Sequence, residues 1–192
     1  MNKEEYMADL RQAVKTLREG GVILYPTDTV WGLGCDATNA DAVAKVYAIK
    51  QRAESKSMLV LVDSASRAGV YAKEIPDVAY DMMDLADKPL TLILDGAKNL
   101  ACNLIAEDGS IGIRVTNEKF SHDLCRAFGK AVVSTSANIS GQPVAAIFSE
   151  VSPEILNAVD YAVLFRREDT AKAKPSSIVK LKADGQVTVL RP

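Results

Sequence analysis

Histidine is almost missing from this chain of 192 residues, with His122 the only one. Any Ser-His-Asp or Cys-His mechanism would have to pass through it. Its setting, FSHDLCRAF, has the pattern of an amphipathic helix on which a histidine caps or faces water, so it is set aside. Cysteine is scarce as well. Cys35, Cys102 and Cys125 are odd in number and far apart, which gives neither a disulfide framework nor zinc-ligand spacing, and each reads as a buried or half-buried free thiol. An excess of charge is lacking: the formal net charge of −2 argues against a surface coated for bulk nucleic-acid binding, while leaving room for a local basic groove. No apolar run reaches membrane-spanning length, and the amino terminus MNKEEYMADL has no signal-peptide core, so the expected location is the cytoplasm. The familiar phosphate cradles are missing too. There is no G-x-x-x-x-G-K-[ST], and GLG at 32–34 lacks the third glycine of a dinucleotide fingerprint.

What is there suits one domain. The apolar fraction of 48% is ordinary for a globular protein, and a chain this long can bury a core. Tyr6, Leu10, Val14 and Leu17 recur at helical spacing before Gly20-Gly21, and Asn39 can cap a helix running toward Lys50. Further helical patterns lie at about 64–73 and 77–86, in SHDLCRAF and in SPEILNAV. VILYP, MLVLV (58–62), LTLIL (90–94), IGIRV (111–115), AVVST (131–135), YAVLF (161–165), SIVKL (177–181) and QVTVL (186–190) read as strands, the last two joined by a hairpin-like turn at ADGQ. Strict β-α alternation is absent. The expectation is one α/β (α+β) domain over 1–192, with a twisted, largely mixed or antiparallel sheet and flanking helices, and not a Rossmann unit.

Polar groups gather at strand ends. YPTDTVWGLG (25–34) follows an apolar run with two threonines flanking an aspartate, the single tryptophan and two glycines, far more than a plain link needs. IKQRAESKS places Lys50, Arg52 and Lys56 where the second helix should end; Lys50 and Arg52 can share a target only if the helix stops between them. STSANISG (134–141) offers Ser134, Thr135, Ser136 and Asn138 directly after AVV, more hydroxyls and amides than one turn consumes. KPSS (174–177) repeats the theme, and Arg191 sits near the chain end. Together these groups could line one concave face.

In this order YPTDTVWGLGCDA, KQR, GIRV, STSANISG, PSSIV and the closing LR resemble the motifs of the YrdC/Sua5 family, from about residue 10 to the end. The length is similar to that of its short, single-domain bacterial form. The resemblance implies a twisted α/β sheet around an open, positively lined cavity. It also implies synthesis of L-threonylcarbamoyladenylate from L-threonine, bicarbonate or CO2, and ATP, with release of pyrophosphate. The product supplies the threonylcarbamoyl group of t6A at position 37 of tRNA, through a TsaD-containing complex. Residue by residue, Thr27 matches a position that contacts threonine. Lys50, Arg52, Ser136 and Asn138 match the K-x-R…S-x-N tetrad around the nucleotide phosphates, with Lys50 and Arg52 in the catalytic role. Ser110 matches a further ATP position and Ser134 a further threonine position. Arg114 matches the arginine that pairs with the threonine carboxylate, and Ser176 and Arg191 match the wall serving threonine and ATP respectively.

The implied chemistry suits these residue types. A carbamate oxygen must attack the α-phosphorus of ATP, so two anions have to be brought together by fixed positive donors instead of a covalent nucleophile. Mg2+ is expected with the triphosphate, without dedicated protein ligands; Asp28 is the nearest carboxylate, with a turn role favoured for it. The pattern departs from the family at Ala53, at Ser57, at Lys88-Pro89-Leu90, at Thr116 after Arg114-Val115, and at the ending Arg191-Pro192. Two rivals remain. One is a non-catalytic member of the fold that holds RNA or a nucleotide, for which the aromatic content of 6% is low. The other is a carbamoyl-phosphate enzyme like the YrdC-like domain of hydrogenase maturation factors, which normally sits in a much longer chain.

Overall fold

The computed structural model describes residues 1–53, 58–73 and 75–192. Its first helix, α1 (Lys3–Arg18), begins with a reciprocal cap: Glu5 N donates to Asn2 Oδ1 at 2.9 Å and Asn2 N to Glu5 Oε2 at 2.8 Å. It ends in a Schellman turn, with Gly20 at φ +73° and Gly21 N donating to Thr16 O. Strand β1 (Ile23–Tyr25) then passes through the PTDT loop into β2 (Gly32–Gly34), its antiparallel neighbour. GLG is therefore a strand, not a turn. A Cβ on Gly34 would stand 2.7 Å from Tyr25 Cε1 and 2.9 Å from Val133 O, so the ring of Tyr25 is what requires glycine there.

The helix α2 (Ala40–Lys50) is capped by Asn39, whose side chain accepts from Asp41 N and Ala42 N. Then come β3 (Leu59–Val62), α3 (Ala68–Tyr71), α4 (Asp77–Asp84), β4 (Leu90–Leu94), β5 (Ile111–Val115), α5 (Lys119–Phe128), β6 (Val132–Ser136), α6 (Pro153–Ala158), β7 (Tyr161–Ala162), β8 (Ser177–Leu181) and β9 (Val187–Arg191). YAVLF contributes only two of its five residues as a strand. The N–H groups of Leu164 and Phe165 turn to the buried carboxylate of Asp9, which also accepts from Tyr161 Oη at 2.6 Å.

Among the described residues the nine strands are ordered β7-β1-β2-β6-β3-β5-β4-β8-β9. β7–β1, β3–β5 and β4–β8 run parallel and the other neighbours antiparallel, the mixed sheet expected of the sequence. Its two faces differ. On one, Val60, Val62, Leu92, Leu94, Ile111, Ile113 and Val133 pack against residues of α2, α3 and α4 in a continuous core. On the other, α1 and α5 cover Ile23, Tyr25, Leu61 and Val132. The rest of that second face mixes small or hydroxylated residues (Ser134 and Ser136, Ser110 and Gly112, Thr91, Ser176) with Leu59, Ile93, Ile178 and Arg114. Among the described residues no helix is long and apolar enough to cross a membrane.

Candidate functional site

The half of the second face that α1 and α5 leave uncovered floors a cavity of about 350 Å³. The strand period explains its composition. In IGIRV, Ile111 and Ile113 enter the core while Gly112 and Arg114 face the cavity; in LTLIL, Leu92 and Leu94 enter the core while Thr91 and Ile93 face it. The PTDT loop, Arg52 and Pro175-Ser176 form its rim.

One end is built around Arg114, which is only 3% exposed. Its Nη2 lies 3.0 Å from Asp28 Oδ1, at an angle outside hydrogen-bond geometry, and 3.5 Å from Thr29 Oγ1. Its Nε is buried and has no hydrogen-bond partner among the described residues. Burial raises the Asp28 carboxyl above its ordinary range, and the Arg114 charge opposes that rise. Thr27 Oγ1 donates to Val30 O at 2.7 Å and accepts from Thr29 N at 3.1 Å, and Thr29 Oγ1 stands 3.0 Å from it, so the loop holds this hydroxyl on every side and a ligand there has to displace one of its bonds. Beside Arg114, Thr91 Oγ1 lies 2.9 Å from Ser176 Oγ, and Arg191 Nε donates to Ser176 O at 2.7 Å.

The other end holds Ser110, Ser136 and Arg52. Ser110 lies four residues before Arg114, about 13 Å along an extended strand. Its hydroxyl donates to Asp108 Oδ1 at 2.6 Å, and Lys180 holds the other carboxylate oxygen at 2.7 Å. Hydrogen bonds from Lys180 and Ser110 draw the Asp108 carboxyl down to about 2.

The two members of K-x-R part company. The helix does stop between them: α2 ends at Lys50, and Gln51 takes a left-handed cap at φ 49°. Yet Lys50 is buried behind the cavity wall, where Nζ donates to Ser136 O at 2.5 Å and Asn138 O at 2.8 Å, while Arg52 lines the cavity itself. Burial, then the neighbouring Arg52 charge, lowers the Lys50 ammonium to about 8. Asn138 also stays out of the lining, its Nδ2 donating to Ile139 O and Gln142 O so that it braces its own loop. Lys50 and Asn138 thus hold the loop that presents Ser136. Thr27, Arg52, Ser110, Arg114, Ser134, Ser136, Ser176 and Arg191 meet in the cavity; Lys56 and Ser57 lie outside the described residues.

Thr29 and Thr91 line the cavity without having been singled out in the sequence. Thr29 stood in the quoted PTDT; Thr91 looked like any strand threonine. Asp28 is an ion-pair partner and not merely a turn residue. His122 lies on α5 beside Asp123, outside the lining. Cys102 is exposed, against expectation, while Cys35 and Cys125 are buried and their thiols pushed up by burial. Among the described residues, no three His, Cys, Asp or Glu side chains cluster as metal ligands would. The arrangement is a set of fixed donors with an arginine toward each end, suited to holding two anionic groups on one floor.

The chain is similar to known proteins over most of its length. The Sua5_yciO_yrdC family model, described as "Telomere recombination", matches residues 15–192. The threonylcarbamoyl-AMP synthase of Stenotrophomonas maltophilia (strain K279a) is 41% identical over 155 residues, 79% of this chain and 83% of that one. Its counterpart from Pseudoalteromonas translucida (strain TAC 125) is 37% identical over 154 residues, 79% and 82% of the two chains. Among solved structures, E. coli YciO superposes with a TM-score of 0.81 at 26% identity, over 95% of this chain and 87% of that one. P. abyssi Sua5, crystallised with L-threonine, gives 0.84 at 24% identity over 95% of this chain, which spans about half (53%) of the Sua5 chain. By motif order, by sheet topology and by these matches, the chain belongs to the Sua5/YciO/YrdC family.

Proposed function

We propose that this chain is an L-threonylcarbamoyladenylate synthase. The curated relatives that cover most of its length carry the name threonylcarbamoyl-AMP synthase, which supports the reading. The observation that carries it is the pairing on one cavity floor of two anion-holding ends. At one, the buried Arg114 keeps Nε unpartnered; at the other, Arg52 and Ser136 stand at the carboxyl end of β6.

In this reading Arg114 takes the carboxylate of L-threonine, with Thr27, Ser134 and Ser176 around its amine and hydroxyl. The neutral amine adds to CO2 and loses a proton, giving a carbamate. ATP enters as its Mg2+ complex, its phosphates held by Arg52 and Ser136, with Lys50 and Asn138 fixing the loop beneath them and Ser110 completing that side; Arg191, which stands on Ser176 toward the Arg114 end, meets the nucleotide from there. A carbamate oxygen then attacks the α-phosphorus. The bond from that phosphorus to the bridging oxygen of the β-phosphate breaks, and pyrophosphate leaves with the electron pair. Every protein contribution is positioning and charge stabilisation, so the transition state relies on donors already in place. The same reading treats 1–192 as a single catalytic domain working in the cytoplasm. It hands the adenylate to a TsaD-containing complex for t6A37, with no RNA needed for the first step.

The test is pyrophosphate release from MgATP, with and without L-threonine and bicarbonate, beside Arg52→Ala. Release that needs both co-substrates, and that falls by roughly one to two powers of ten in the variant, is expected. A folded protein that binds ATP or RNA but shows no threonine-dependent release would overturn the assignment in favour of a binding module.

A further inference from the structure

The Arg114–Asp28 pair raises a question of selection. A buried arginine fork with a free edge is an anion site, and such forks accept phosphate as readily as carboxylate. A triphosphate sharing the cavity carries more charge than an amino acid and should occupy Arg114 first. Asp28 opposes that outcome. Its Oδ1 lies 3.0 Å from Arg114 Nη2, and both side chains are largely shielded from water, so the pair brings no net charge to this end. Asp28 does not line the cavity; it stands behind Arg114, toward a separate pocket that it lines with Glu118, Asp87 and Lys88. Glu118 is itself engaged, 3.3 Å from Arg166 and accepting from Ser121 N.

Building on the synthase reading, we propose that Asp28 determines which anion Arg114 accepts. With Asp28 ionised, the unpartnered Nε still offers a directed donor to a monocarboxylate whose own ammonium offsets its charge. A phosphate group there meets the Asp28 carboxylate without such compensation, so the triphosphate is directed to the Arg52 end. Asp28 acts through Arg114, as a positioning and charge-setting residue.

The PTDT loop has other anchors: Arg166 Nη1 donates to Thr27 O at 3.3 Å, and Thr27 Oγ1 to Val30 O. Asp28→Asn can therefore be read in a folded protein, verified by its melting transition. Binding of inorganic phosphate and of L-threonine is titrated by calorimetry in wild type, Asp28→Asn, Asp28→Glu and the double variant Asp28→Asn/Arg114→Gln. We expect phosphate binding to tighten roughly tenfold or more in Asp28→Asn, to compete with L-threonine there, and to return to the wild-type level in the double variant. Asp28→Glu, which keeps the charge, should behave as wild type. Equal phosphate affinity in wild type and Asp28→Asn, or a gain that survives loss of Arg114, overturns the inference. If Asp28→Asn does not melt cooperatively, Asp28→Ser is read in the same way; failure of both to fold makes the carboxylate a folding requirement and overturns it too. Absence of L-threonine binding in wild type would count against the synthase reading, whereas the phosphate comparison stands by itself.

Discussion

The ammonium of Lys50 lies 2.5 Å from the carbonyl oxygen of Ser136 and 2.8 Å from that of Asn138. A lysine from the end of α2 thus ties down the chain just after β6, and Ser140 N returns a bond to Lys50 O at 2.8 Å. The consequence is a rigid seat for Ser136 and a charge placed beneath the cavity wall, out of water. Removing the charge removes the field, while the neutral amine keeps two N–H groups for the two carbonyls.

That makes the reaction sensitive to alkali. Burial and Arg52 lower Lys50 to about 8, against about 10.4 for a lysine in the unfolded chain. As pH rises through about 8, the folded protein loses this proton and kcat/KM for pyrophosphate release should fall. Stability should not fall with it. Between the two values the unfolded chain binds more protons than the folded one, so Lys50 contributes a rise in stability with pH. A pH–rate profile beside urea midpoints on either side of pH 8 checks both signs; a rate loss that tracks unfolding would contradict the prediction.

Gly34→Ala tests the packing of β2. The new methyl would meet Tyr25 Cε1 at 2.7 Å and the main-chain oxygen of Val133 at 2.9 Å, and the second cannot step aside. A loss of about 1–3 kcal/mol is expected. Gly32→Ala, whose nearest neighbour is Thr135 O at 3.2 Å, should cost less. Denaturant melts of the two variants give the comparison.

Arg191→Lys replaces a fork by a point charge. Arg191 reaches Ser176 twice, through Nε to the carbonyl at 2.7 Å and through Nη2 to the hydroxyl at 3.3 Å. Lysine cannot reproduce both bonds. The expected result is a kcat/KM lower by about tenfold. The melting temperature should move little, because β9 is exposed along its whole length. Steady-state kinetics with ATP varied at saturating threonine reads the loss on the nucleotide side.

Asp9→Asn addresses the chain after β7. Three partners converge on that carboxylate: Tyr161 Oη, Leu164 N and Phe165 N. An amide can accept from fewer of them and carries no charge, so a loss of about 2–3 kcal/mol is expected. Hydrogen exchange at Leu164 and Phe165 should rise sharply, and unchanged exchange there would count against the role.

The three thiols should separate by exposure alone. A bulky alkylating reagent is expected to add once to the native protein, at Cys102, and three times after unfolding, since Cys35 and Cys125 are buried. Intact mass and peptide mapping read the result.

Local order was legible in the residues themselves. Asn39 as a cap, Gly20-Gly21 as a helix end and the strands at 90–94, 111–115 and 177–181 all follow from short-range rules, and each stands where those rules put it. So did the chemical character of the site, because a strand leading into PTDT or STSAN exposes more hydroxyls than a turn uses. What spacing along the chain did not carry was direction and depth. GLG looked like a loop until the Tyr25 ring lay across it. Lys50 and Arg52 looked like one cluster until burial sent the first behind the wall and left the second in the cavity. Thr91 and Arg114 became neighbours of the site only when β4 and β5 paired, since which face of a strand meets water depends on what the sheet packs against. Short-range rules thus account for most elements and for the kinds of group available, while packing across the sheet settles which of them leave water, and desolvation is what makes a lysine, an arginine or an aspartate act differently from its neighbour of the same type.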